Sequence, residues 1–225
     1  MHFEILVEDA SGKKALDILV PAIIGEDHTF VVRSYRGVGR VPKNLNRAAK
    51  IRSPALINDL PALLRGYGKT FAGYGPAFAA AVVVVCDLDD NCLNALRLQL
   101  HQILDTCHPA PKTAFCIAIE EIEAWLLADA AAVYAAYPRA KRAILEGYVQ
   151  DSICGTWEIL ADAIYPGGRS ALGRRGYQGI GDEKSRWATT IASRIDVNRN
   201  VSPSFRYIRE KLKVLAKPPE GSESS

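Results

Sequence analysis

Carboxylates recur in this chain at three places where an apolar, strand-like run has just ended: Glu8 after HFEILV, Asp87 and Asp89 after AAVVVVC, and Glu120 to Glu123 after AFCIAI. In an open α/β sheet, ligands gather outside the carboxyl ends of the strands, so acids from distant stretches of chain can share one crevice. Converging carboxylates repel one another unless a cation sits between them, and hard oxygen donors of this kind suit Mg²⁺ or Mn²⁺. Two such ions about 4 Å apart can activate water and stabilise the leaving oxygen of an in-line phosphoryl displacement. The chemistry to expect is metal-dependent phosphoryl transfer, with Glu8, Asp87 and Asp89 as metal ligands and Glu120 or Glu123 completing the catalytic set.

Spacing refines this expectation. Asp87 and Asp89 lie two residues apart, so their side chains share one side if the strand conformation persists to its end. Asp90 would point away, and before Asn91 it also reads as a helix cap. Glu120 and Glu123 share a helical face, while Ile122, Trp125 and Leu126 mark the buried one. First-turn glutamates also complement a helix dipole, and that reading stays open beside the catalytic one. A phosphate substrate needs cations, for which Lys184, Arg186, Arg199 and Arg206 are candidates; each also reads as an ordinary surface cation.

The formal charge of +3 is unevenly spread. Residues 166–217 hold 12 basic and 4 acidic side chains, a net of +8, while residues 1–165 have a net of −3. Such a half suits a surface that meets nucleic acid, because Lys and Arg gain from releasing phosphate counterions. A set of solvated helix faces has the same composition.

These side chains need a scaffold. His2 to Val7 reads as a strand, and Ser11 could cap a helix whose Leu16, Leu19, Val20 and Ile23 recur at helical spacing. Thr29 to Arg33 reads as a second strand, followed by the loop SYRGVGR and a helix from Ala55 to Leu64. The valines of Ala80 to Cys86 suit a strand buried on both faces, as in a parallel sheet. A helix from Asn91 to Leu104 and a strand from Thr113 to Ile119 follow. Beyond Asp129 the pattern is helical, around Ala130 to Tyr148, Thr156 to Ile164, Asp182 to Ile195 and Ser204 to Leu215. The stretch YPGGRSALGRRGYQGIG is too glycine-rich for a regular element and reads as a loop that orders on binding. The division expected is an α/β core over 1–128, a basic helical extension over 129–217 and a disordered tail over 218–225.

Other classes are poorly supported. The 225 residues suffice for one substantial core, and no apolar run approaches the roughly 18 residues of a membrane span. The N-terminus lacks the zones of a signal peptide, which leads to a cytosolic expectation. Five cysteines without CxxC spacing read as reduced structural thiols, and His101, Cys107 and His108 match no common zinc spacing. GYGKT lacks the first glycine of a phosphate-binding loop and reads as a turn, and no GxSxG elbow is present. No heptad run specifies an oligomeric state.

VED after the first strand, VVVVCDLDD after a later one, IAIEEIEAWLLAD and finally NRNVSPSFRYI together resemble an uncharacterised bacterial family with a TOPRIM-like fold. The resemblance spans nearly the whole chain. It implies a three-layer α/β domain with a mainly parallel central sheet, followed by a helical C-terminal region, and kinship with topoisomerases, primases and overcoming-lysogenization-defect nucleases. In that core a glutamate and a DxD motif bind Mg²⁺. By position Glu8 matches the glutamate and Asp87 with Asp89 the DxD, while Asp9 stands where a glycine is usual. Glu123 and Trp125 match an ExW motif, and Asn200, Ser202, Ser204 and Phe205 a C-terminal motif without a fixed role. The implied function is a nuclease, possible in phage defence with an ATPase partner. The alternative is a noncatalytic adaptor that binds an ATPase or nucleic acid.

Overall fold

The computed structural model describes residues 1–35, 55–89, 91–119, 121–152 and 155–217. The loop after Ser34, Asp90, Glu120, Cys154 and the tail therefore lie outside the described residues. Four strands, β1 (His2–Val7), β2 (Thr29–Ser34), β3 (Ala80–Asp87) and β4 (Thr113–Ala118), form one all-parallel sheet in the order β2-β1-β3-β4. The valine run of β3 explains its central place. Val83 and Val85 face one core while Val82, Val84 and Cys86 face the other, so alternate side chains are buried on opposite faces.

Helices cover both faces. On one lie α2 (Ala55–Gly73) and α3 (Leu93–Asp105), whose Leu56, Leu60, Leu64, Leu96 and Leu100 build the smaller core. The other face is covered by α1 (Ala10–Ile24), α9 (Gly176–Ala192) and α10 (Pro203–Ala216). Leu16 and Leu19 of α1, Trp187 and Ile191 of α9, and Phe205 and Leu212 of α10 join the strand side chains in the larger core. The C-terminal helices thus share a core with the sheet. Short helices α4 (Glu123–Leu127), α5 (Ala130–Ala136), α6 (Arg142–Gly147), α7 (Thr156–Ile164) and α8 (Gly168–Gly173) connect β4 to α9. Among the described residues no helix is long and apolar enough to cross a membrane.

Several local expectations are corrected. The cap of α1 is Asp9, whose Oδ1 accepts from the Gly12 N–H at 2.6 Å; Ser11 is buried one turn in and donates its hydroxyl to Asp9 Oδ2, also at 2.6 Å. The helix expected over Ala130 to Tyr148 is split into α5 and α6, with Pro138 between them unable to donate to a helical ladder. YPGGRSALGRRGYQGIG is not a loop. It forms α8 and the first turns of α9; Gly167 and Gly168, with φ of 81° and 63°, open α8, and Gly176, with φ of 68°, opens α9.

GYGKT is no turn either, because α2 runs through it to Gly73. A Cβ on Gly68 would collide with the carbonyl oxygen of Pro109, so the glycine is where α2 lets the chain before β4 pass against it. Gly68→Ala is expected to destabilise the fold by ~1–3 kcal/mol, although alanine is the better helix former, because backbone cannot move aside as a side chain can. Urea denaturation measures this; an unchanged or raised midpoint would show that the two segments are not in fixed contact.

Candidate functional site

The strand order places a crevice before any side chain is considered. From β1 the chain goes to β2 on one side, and β3 then pairs on the other side of β1, so the order reverses between β1 and β3. Ligands of open α/β sheets bind at such a switch point, beyond the strand ends. Glu8 follows β1 directly and Asp87 ends β3; the Asp87 backbone N–H donates to Glu8 Oε1 at 3.3 Å. Two of the expected ligands are therefore in contact.

Asp89 reaches the group by another route than strand alternation. The strand ends at Asp87, and Asp89 takes a left-handed backbone with φ of 47°. This is uncommon for a side chain other than glycine, and aspartate is among the residues that tolerate it. The turn leaves Asp89 close enough for its charge to act on Glu8. Asp9, where a glycine was expected, has φ of −135°, extended backbone open to any residue. Its carboxylate caps α1, and Ser11 links it to Glu123 by a second, longer contact of 3.4 Å.

Glu123, at the start of α4, is 2% exposed. Lys184 enters from α9 and sets its Nζ 3.2 Å from both Glu123 Oε2 and Glu121 Oε1. Glu121 Oε2 is buried and has no hydrogen-bond partner among the described residues. Ser11 and Glu121 were not among the expected site residues, although Glu121 lay inside the cluster Glu120 to Glu123. Nothing local could have paired Lys184 with Glu121, 63 positions away in the chain.

The electrostatics divide the cluster in two. Burial, then the charges of Asp89 and Asp9, push Glu8 up to about 8, against the Asp87 N–H that favours its ionised form. Asp87 is raised well above the usual carboxylate range by burial and then by Glu8 and Asp9, with Lys184 opposing. Glu123 is pushed up to about 7 by burial, and Lys184 restrains it. Lys184 loses hydration, which alone would lower it, but Glu123 and Glu121 outweigh that and hold it above its ordinary value. Glu121 and Glu123 have a built-in counterion. Glu8 and Asp87 have no ion-pair partner among the described residues, and Lys184 acts on Asp87 only through its field.

A pH dependence follows. An acid whose folded value exceeds its unfolded one binds more protons when folded, so stability falls as pH rises between the two. For Glu8 that window runs from its ordinary 4.5 to about 8, and Asp87 and Glu123 act in the same direction. Without divalent ions, melting temperature is expected to drop by several degrees from about pH 5 to about pH 8, and Glu8→Gln should flatten the slope. A melting temperature that rises over this range would contradict the account.

Mg²⁺ suits this donor set. The groups are all oxygen, and a divalent cation would relieve the repulsion that lifts Glu8 and Asp87. Among the described residues no group of three His, Cys, Asp or Glu side chains is placed to hold a metal ion together.

Residues 7–213 match the family described as a domain of unknown function, DUF4276. The chain belongs to the DUF4276 family. No curated protein and no solved structure matches it.

In this DUF4276 chain the remaining expected residues divide by role. Of the four candidate phosphate cations, Lys184 joins the carboxylates. Arg186 pairs with Glu183 at 3.2 Å, Arg199 lies 3.9 Å from Asp129, and Arg206 donates to the Asn200 carbonyl at 3.0 Å. The C-terminal motif has a structural task. Asn200 Nδ2 donates to the Trp125 carbonyl at 2.8 Å, the Trp125 indole donates to Ser204 Oγ at 2.9 Å, and Ser202 caps α10 through the Phe205 N–H at 3.1 Å. Phe205 meets the Trp125 ring edge-on at 5.7 Å. The two motifs lock α10 onto the helix that begins with Glu123.

Proposed function

We propose that this DUF4276 protein is a Mg²⁺- or Mn²⁺-dependent phosphoryl-transfer enzyme, a nuclease, with a TOPRIM-like catalytic core. The observation that supports it best is the contact of the Asp87 N–H with the Glu8 carboxylate at the switch point, two acids at the ends of adjacent strands that have no ion-pair partner among the described residues. In this reading Glu8, Asp87 and Asp89 hold the ion, which supplies Lewis acidity toward a phosphodiester and a more acidic bound water. Lys184 keeps Glu121 and Glu123 fixed beside them and limits the negative charge that an approaching phosphate meets. The cationic C-terminal half attracts the polyanion. Kinship with overcoming-lysogenization-defect nucleases would add an ATPase partner in phage defence.

Incubating the chain with single- and double-stranded DNA and RNA, in Mg²⁺, in Mn²⁺ and in EDTA, tests the proposal. Cleavage of at least one substrate, lost in EDTA and in Glu8→Gln, is the expected result. Cleavage that persists in EDTA would overturn it. A second reading, a noncatalytic adaptor for an ATPase or nucleic acid, draws on Lys184, which already neutralises part of the cluster. Nucleic-acid binding unaffected by Glu8→Gln, with no cleavage under any condition, would favour that reading.

A further inference from the structure

Helix α9 carries Lys184 into the carboxylate cluster, and with the adjacent Glu183 and Arg186 it lines a separate cavity of about 360 Å³. The other walls are Tyr137, Tyr165 with Ile164 and Pro166, Arg175 and Trp187. Glu183 is 3% exposed, and both guanidinium groups converge on its Oε1, Arg175 at 2.7 Å and Arg186 at 3.2 Å. Arg175 also donates to the Tyr165 hydroxyl, at 3.4 Å.

A buried carboxylate needs one cation to neutralise it, and here two are aimed at the same oxygen. The surplus is one positive charge at the cavity mouth, on Arg175 and Arg186 side chains that are 42% and 64% exposed and so open to a ligand, with fork-like donors that match phosphate oxygens. Beside it stand the rings of Tyr137 and Tyr165, with Trp187 buried as the floor. Flat aromatic and guanidinium faces take a planar base by stacking. The volume lies at the lower end of small-ligand pockets, where one nucleotide fits. Arg175, which supplies half of the charge, comes from the glycine- and arginine-rich stretch after Tyr165.

We propose that this cavity binds a single nucleotide unit through its phosphate and base, either as a free nucleoside monophosphate or as the end of a nucleic-acid strand. Arg175 and Arg186 take the phosphate, and the tyrosine rings take the base. The site is distinct from the carboxylate cluster and requires no metal.

Calorimetric titration of the full chain in EDTA with the four nucleoside 5′-monophosphates, the matching nucleosides and inorganic phosphate tests this. Monophosphates should bind more tightly than either nucleoside or phosphate alone, and a 5′-phosphorylated oligonucleotide that competes would identify the strand end as the source. Arg186→Gln leaves Arg175 to neutralise Glu183 and so should preserve the fold; it is expected to weaken monophosphate binding about tenfold. Glu8→Gln should leave that binding unchanged, which separates this site from the proposed metal centre. Absence of monophosphate binding at millimolar concentration, equal affinity for inorganic phosphate, or full affinity in a folded Arg186→Gln variant would overturn the assignment.

Discussion

Asp87→Asn is expected to abolish metal-dependent cleavage while making the metal-free protein more stable at about pH 8. Loss of activity follows from the proposed ligand role: a neutral amide cannot replace an anionic oxygen at a divalent ion, and losing several kcal/mol of transition-state stabilisation amounts to a fall of ~10²–10³-fold. The gain in stability follows from the same crowding. Asp87 is raised by burial and by Glu8 and Asp9, so its ionised form is a cost to the fold above its unfolded value. The gain should shrink as pH falls toward the carboxyl's unfolded value, where the ionised form is lost from both states. Melting curves at the two pH values, with cleavage rates beside them, measure both effects. A variant that loses activity and stability together would mark Asp87 as a structural residue.

Trp125→Ala is expected to be the most destabilising of the substitutions considered, at ~3–5 kcal/mol. Trp125 has no exposure, and its loss would leave a cavity beside Phe205 and leave the Ser204 hydroxyl with only its contact to the Ser202 hydroxyl. For a chain of this size that corresponds to a melting temperature lower by on the order of 10 °C. Trp125→Phe keeps most of the packing and removes the indole N–H, so ~1–3 kcal/mol is expected, and this variant should fold even if the alanine one does not. Because Glu123 opens the helix that carries Trp125, the alanine variant should also lose activity through misplaced carboxylates. A cost under ~1 kcal/mol for the alanine variant would show that the lock between α4 and α10 contributes little.

The sheet was legible because its strands are short apolar runs with punctuation at their ends. β3 is the clearest case, since an unbroken valine run can only be buried on both sides. Glu8, Asp87 and Asp89 were legible for the same reason, as acids placed where those runs stop. What remained hidden depends on tertiary contact. Lys184 reads as one surface lysine among many until α9 packs against α1, and Gly68 reads as a turn until the chain at Pro109 is seen against it. The glycine-rich stretch after Tyr165 misled because Gly167, Gly168 and Gly176 serve the starts of α8 and α9, while Leu172 within α8 is buried in the larger core. The cap of α1 was misplaced locally: Asp9 begins an Asp-x-x-Gly pattern and accepts from its last N–H, where Ser11 was read as the cap.

The most direct measurement is a calorimetric titration of Mg²⁺ and Mn²⁺ into the chain and into Asp87→Ala/Asp89→Ala at about pH 8. The account predicts a saturable binding event in the unaltered protein, accompanied by proton release from carboxyls that are raised in its absence, and neither signal in the double variant. Equal metal binding by the two proteins, or none by either, would contradict the assignment of Glu8, Asp87 and Asp89 as a metal centre.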